Sequence, residues 1–135
     1  MCPPQPILEV RTDDAPSPVG PYSQAVLHEG LLYASGQIPL DPATGKVVEG
    51  DVEAQTRRVI ANLRAVLEAG GSGLRQALKV TIYLTDLADF ARVNALYAEA
   101  FDGNPAPARA TVQVAALPLG VAVEMDAIAR VESGS

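Results

Sequence analysis

The chain has 135 residues, 48% hydrophobic and 19% charged, which predicts one globular domain over residues 1–135 and excludes a disordered polyelectrolyte. Sixteen acidic against ten basic side chains leave a net charge of -6. That balance, with only two Phe and four Tyr and no basic stripe beyond Arg57-Arg58 and Arg64, argues against nucleic acid as a partner.

Met1 to Pro6 reads as a flexible leader. It lacks the basic and apolar blocks of a signal peptide, and no apolar run elsewhere reaches the ~18 residues of a membrane span. A cytoplasmic protein with no membrane partner is expected. The leader holds the only cysteine, Cys2, so no internal disulfide can form. One Cys and one His cannot build an ordinary zinc site, and neither metal nor cofactor is expected.

Ile7 to Val10 is a candidate edge strand. Asp13 to Pro21 carries three prolines in six residues and cannot continue a helix or a central strand. This rigid loop either positions the following Tyr22 or simply connects. Ser23 to Leu27 and Leu31 to Pro39 read as strands around a His28-Glu29-Gly30 turn. His28, at that turn, reads as structural. Asp51 to Ala69 has helical apolar spacing at Val52, Val59, Ile60, Leu63, Val66 and Leu67, with Asp51 as cap and Gly70-Gly71 as stop. Leu78 to Leu84 alternates as a strand, with Leu78, Val80, Ile82 and Leu84 on the apolar face. A second helix is expected over Leu87 to Phe101, with Phe90, Val93, Leu96, Tyr97 and Phe101 as its stripe. Strands near Ala110 to Leu117 and Val121 to Val131 follow, joined by Pro118-Leu119-Gly120.

That order predicts an α+β fold: one sheet of about six strands with two helices on one face. The other face must meet water or another subunit. Strand parity gives its content, the more apolar set being placed against the helices. Tyr33, Ser35 and Gln37, then Lys79, Thr81 and Tyr83, are expected on the open face. Arg109, Thr111 and Gln113 are expected there too, with Ala122, Glu124, Asp126 and Ile128. Val112, Val114 and Ala116 are expected inside. A face of mixed Tyr, Ser, Thr, Gln, Arg and Glu suits a subunit interface with a polar pocket.

The chemistry that fits such a pocket is recognition of a small carboxylate. Arg109 offers a planar fork for it. Glu124 sits in mid-strand, where Glu is disfavoured, and could serve as a general base or orient a water. Each also has a plain reading as a surface residue. No nucleophile elbow, phosphate loop or dinucleotide fingerprint is present.

Pro107-Ala108-Arg109-Ala110-Thr111-Val112, then Leu117-Pro118 and Val123-Glu124-Met125, resemble the C-terminal signature of the YjgF/RidA family. Gly20-Pro21-Tyr22-Ser23-Gln24-Ala25 resembles its N-terminal segment. Ser35-Gly36-Gln37-Ile38-Pro39 resembles its S-G-Q strand end, and Asp89-Phe90, Val93-Asn94 and Tyr97 resemble its second helix. The resemblance covers about Ala15 to Val131. It implies a chorismate-mutase-like fold and a homotrimer with active sites in the clefts between subunits. It further implies cofactor-independent hydrolysis of 2-iminobutanoate and 2-iminopropanoate to 2-oxo acids and ammonia. By the same resemblance Arg109 binds the substrate carboxylate and Glu124 positions or activates water. Tyr22, Ser35 and Asn94 match pocket residues, Pro118 matches the proline after the signature, and Gly36 permits close backbone approach. One position departs: Thr111 stands where many deaminase members carry Cys. A protonated imine is already electrophilic, so a held water and a proton relay should suffice without the thiol. Two alternatives remain: a non-catalytic binder of small 2-oxo or amino acids acting as a metabolite sensor, and an endoribonuclease or translation inhibitor, which the net charge of -6 disfavours.

Overall fold

The computed structural model describes residues 5–131. The leader expected over Met1 to Pro6, Cys2 included, lies outside them except for Gln5 and Pro6. Six strands, β1 (Leu8–Val10), β2 (Ala25–His28), β3 (Leu31–Gln37), β4 (Ala77–Leu84), β5 (Ala108–Gln113) and β6 (Val123–Arg130), form one sheet in the order β1-β2-β3-β6-β4-β5. Helices α1 (Val52–Ala69) and α2 (Phe90–Ala100) complete the α+β fold. Every neighbouring pair is antiparallel except β4 and β5, which run parallel. A parallel pair needs a crossover, and α2 supplies it. The Pro118-Leu119-Gly120 turn does join β5 to β6, but β4 lies between them, so the connection steps over a strand.

Helix α1 starts where Asp51 Oδ1 accepts the Ala54 N–H at 3.0 Å, satisfying a first-turn donor. It stops at Gly71, whose φ of +85° suits glycine; there the Gly71 N–H reaches Glu68 O and the Ser72 N–H reaches Leu67 O. All six of its expected apolar positions are buried. They meet Leu32, Ile82, Leu84 and Met125 from the sheet in one core. The second helix begins differently from expectation. Leu87–Asp89 is a 3-10 turn capped by Asp86, and α2 proper starts at Phe90. Val93, Tyr97 and Phe101 enter the core, with Phe90 and Leu96 half-buried against it.

Parity holds along β6, where Val123, Met125 and Ala127 are buried and Glu124, Asp126 and Ile128 are half-exposed on the other face. It fails at three places. In β3 the pairs Ala34↔Ala127 and Gln37↔Met125 leave Ser35 and Gly36 opposite Asp126. This bulge resets the alternation, so Gln37 points inward and is 6% exposed. In β4 a second irregularity between Ala77 and Lys79 buries Ala77 and turns Leu78 outward, 45% exposed. In β5 the whole assignment inverts. Arg109 pairs with Val80, Thr111 with Ile82 and Gln113 with Leu84, so these three share the helix-side face. Val112 pairs with Tyr83 and stands on the open face, 41% exposed.

Candidate active site

Arg109 lies on the edge strand β5 and reaches toward α2, not across the open face. Its Nη1 donates to Asn94 Oδ1 at 2.6 Å. The guanidinium carbon lies 4.8 Å from the Tyr97 ring centroid and 5.5 Å from that of Phe90. A cation over aromatic faces is attracted by the ring quadrupole, typically by ~0.5–2 kcal/mol. Two rings and one side-chain amide therefore fix the direction of the fork. With Leu87, Phe90 and Thr111, Arg109 lines an open, largely apolar depression. The backbone of Leu87 is itself held there, its N–H donating to Gln113 Oε1 at 2.9 Å. Thr111 Oγ1 is buried without a hydrogen-bond partner, and so is the Tyr97 hydroxyl. Burial pushes the Tyr97 phenol up, with the Arg109 charge opposing it.

A second group forms around the β3 bulge. Glu124 stands on the open face of β6, directly across from Tyr83 on β4. A Cβ on Gly36 would collide with Glu124 Oε2 and lie 3.0 Å from its Cδ, so only glycine admits the carboxylate here. Half-buried, Glu124 is pushed above the usual carboxylate range, first by burial and then by the charge of Asp126. Tyr22 and Gly36 line one small cavity together with Val19. The Tyr22 hydroxyl accepts the Val19 N–H at 3.3 Å. Ser35 Oγ donates to Ser23 O at 2.6 Å, tying the bulge to the segment that carries Tyr22.

Gln24 was not among the expected site residues, yet it organises this group. It is 3% exposed. Its Oε1 accepts the Thr12 N–H at 2.7 Å, and its Nε2 donates to the carbonyls of Thr12 at 3.0 Å and Pro16 at 2.9 Å. A buried amide with these partners pins the proline-rich loop and so orients Tyr22. Phe90 and Tyr97, read from sequence as core stripe, are the seat of Arg109; correct parity for β5 would have signalled it. Pro118 opens the turn after β5, and its carbonyl accepts the Val121 N–H at 3.3 Å, a link to neither group.

One chain thus carries two side-chain clusters on opposite faces of the sheet: Arg109 with Asn94 and Thr111, and Glu124 with Tyr22, Ser35 and Gly36. The first can hold a carboxylate and the second can hold and pass a proton.

The family described as Endoribonuclease L-PSP matches residues 12–131. The chain belongs to the YjgF/RidA family. It is 51% identical over 118 residues to a RutC family protein of Pyrococcus horikoshii, covering 87% of this chain and 93% of that one. It is 48% identical over 120 residues to the chloroplastic Reactive Intermediate Deaminase A of Arabidopsis thaliana, covering 89% of this chain and 64% of that one. The crystal structure of Escherichia coli TdcF with bound serine shares the fold, with a TM-score of 0.85 and 40% identity over 90% of this chain and 97% of that one. Among the described residues of this YjgF/RidA member, no helix is long and apolar enough to cross a membrane.

Proposed function

We propose that the protein hydrolyses reactive 2-iminoalkanoates, with 2-iminobutanoate and 2-iminopropanoate as substrates, to 2-oxo acids and ammonia. The observation that carries this reading is the division of labour between a fixed arginine fork and a glutamate disposed to take a proton. These lie on opposite faces of one chain, so the working site joins the Arg109 half of one protomer to the Glu124 half of its neighbour in a trimer. The open sheet face supports that assembly, since Tyr33, Leu78 and Val112 are all more than 40% exposed on it. The plant relative named as a reactive intermediate deaminase and the serine-bound TdcF structure support the substrate class.

The residues divide the reaction as follows. Arg109 grips the substrate carboxylate, Asn94 and the two rings hold the fork, and Leu87 and Phe90 face the short side chain. Water attacks C2 of the protonated imine while Glu124 takes its proton, giving a carbinolamine. Glu124 then returns that proton to the amino group; the C–N bond breaks as the carbinol O–H proton passes to Glu124 and on to the departing ammonia, so ammonium leaves and the 2-oxo acid remains. A carboxyl held above its usual range suits both halves of that cycle. Thr111 needs to supply no nucleophile.

A threonine dehydratase generating 2-iminobutanoate in situ tests the activity. Release of 2-oxobutanoate accelerates in the presence of the protein, and Arg109→Ala removes nearly all of the acceleration. Mixing tests the shared site. Arg109→Ala and Glu124→Gln protomers each retain only a small residual activity alone. Randomly reassembled trimers at equal ratio regain about a quarter of wild-type activity, because one site in three is intact in three quarters of them. No regain would place both groups in one subunit's site and refute the division. Ligand-induced stabilisation by 2-oxo acids without any hydrolysis would favour the sensor reading instead.

A further inference from the structure

The open face carries a second carboxylate beside Glu124. Asp126 lies two residues further along β6 on the same face, opposite Thr81. Tyr83 stands across β4 from Glu124, and its hydroxyl donates diagonally to Asp126 Oδ2 at 2.8 Å. The phenol therefore spans the two acids, its ring beside one and its proton on the other. The other ionisable groups of this face are Lys79 on β4 and Tyr33 on β3, both level with Ile128, Arg130 two residues beyond Ile128 on β6, His28 and Glu9 further out on β2 and β1, and Tyr22 from the loop before β2. Lys79 is thus nearer Asp126 than Glu124 along the ladder. From β3, Glu124 meets Gly36, which carries no charge to offset its own.

We propose that Tyr83 and Asp126 are positioning residues for Glu124: Asp126 confronts it with a second negative charge, and Tyr83 governs how much of that charge Glu124 feels. The inference rests on the deaminase reading for its purpose, since it makes Glu124 ready to hold a proton between water attack and ammonia departure. Like charges on one strand face repel and disfavour the ionised form, and the half-buried Glu124 carries a desolvation cost besides. The directions of the neighbouring titrations agree. The Asp126 charge adds to burial in raising Glu124. The Tyr83 phenol is raised first by its hydrogen bond to Asp126, so the proton stays on the phenolic oxygen and the donor role persists at neutral pH. A phenol donating to a carboxylate draws off part of its charge.

Two isosteric variants move Glu124 in opposite directions. Asp126→Asn removes the opposing charge. Tyr83→Phe leaves that charge in place and withdraws the donor that moderated it. The readout is the carboxyl carbon resonance of Glu124, titrated by NMR and assigned by its disappearance in Glu124→Gln, together with the pH dependence of imine hydrolysis. The Glu124 midpoint, and the limb of the rate profile that vanishes in Glu124→Gln, moves to lower pH in Asp126→Asn and to higher pH in Tyr83→Phe. A merely structural pair would lower the rate and leave the midpoint in place. Midpoints that stay put, or that move the same way in both variants, overturn the inference. Opposed movement of the NMR midpoints in a protein without imine hydrolysis would uphold it and bring down the deaminase reading alone. Each variant is read separately, so loss of folding in one leaves the other's direction as the test.

Discussion

Replacing Gly36 by alanine isolates the half-site that carries Glu124. The added methyl would overlap Glu124 Oε2 and press on Cδ at 3.0 Å and Cγ at 3.3 Å. Real side chains do not tolerate such contacts, so Glu124 must swing away by an amount on the order of 1 Å, and a displacement of that size in a reacting group costs roughly 100-fold in rate. The fold loses much less. Gly36 is exposed, the backbone there lies outside the left-handed region, and the colliding atoms end a half-buried side chain facing the open side of the sheet. The stability cost is therefore below the ~1–3 kcal/mol typical of overpacking a sealed core. Gly36→Ala is expected to lower the rate of 2-iminobutanoate hydrolysis by about 10- to 100-fold, with unfolding by denaturant nearly unchanged. The decisive control is a double-mutant cycle with Glu124→Gln. If Gly36 acts through the carboxylate, its substitution costs almost nothing once Glu124 is neutral and inert. Full activity in Gly36→Ala, or an equal loss in both backgrounds, would refute the contact as the reason for glycine.

Arg109→Lys keeps the charge but loses both the planar fork and the stacking on Tyr97 and Phe90; kcat/KM is expected to fall about 10- to 100-fold, with Arg109→Ala losing ~2–5 kcal/mol. Glu124 titrates above its usual 4.5 in the folded state, so its ionised form is the disfavoured one and the folded state loses stability as pH rises through that window. Glu124→Gln is therefore more stable than the wild type at pH 7–8, and the difference vanishes below about pH 4 in thermal scans at a series of pH values. Gln24→Leu strands the Thr12 N–H and the Thr12 and Pro16 carbonyls, costing about 1–3 kcal/mol by chemical denaturation and loosening the loop before Tyr22, as faster amide exchange there would show.

Element existence was legible because strong local signals agreed with tertiary packing. The cap at Asp51, the glycine stop and the helical spacing between them all bury what they predict. Alternation along β6 read correctly because that strand lies inside the sheet, between β3 and β4, with a fully buried inner face. The start of α2 was misjudged because Leu87–Asp89 has apolar spacing suited to either a 3-10 or an α turn, and the Asp86 cap decides it. The roles of Gln24, Phe90 and Tyr97 were hidden for a different reason. A buried amide and two apolar-stripe rings look the same in sequence whether they support a site or only a core.

Two of the three failures of strand parity, those in β3 and β5, fall at the candidate site, and the geometry explains why. A regular β3 would keep strict alternation through Ser35, Gly36 and Gln37. The bulge sets two residues against Asp126, and Gly36 thereby comes against the Glu124 carboxylate while Gln37 turns into the core. An inner β5 would bury Arg109 between two neighbours. At the edge, beyond the parallel step from β4, β5 is partnered on one side only, so its apolar residues do not report which face meets the helices. Val112 can then stand outward, and Arg109 can reach beneath α2 while its fork remains accessible. Both devices defeat a period-two reading because both exist to aim one side chain where a regular strand would not put it.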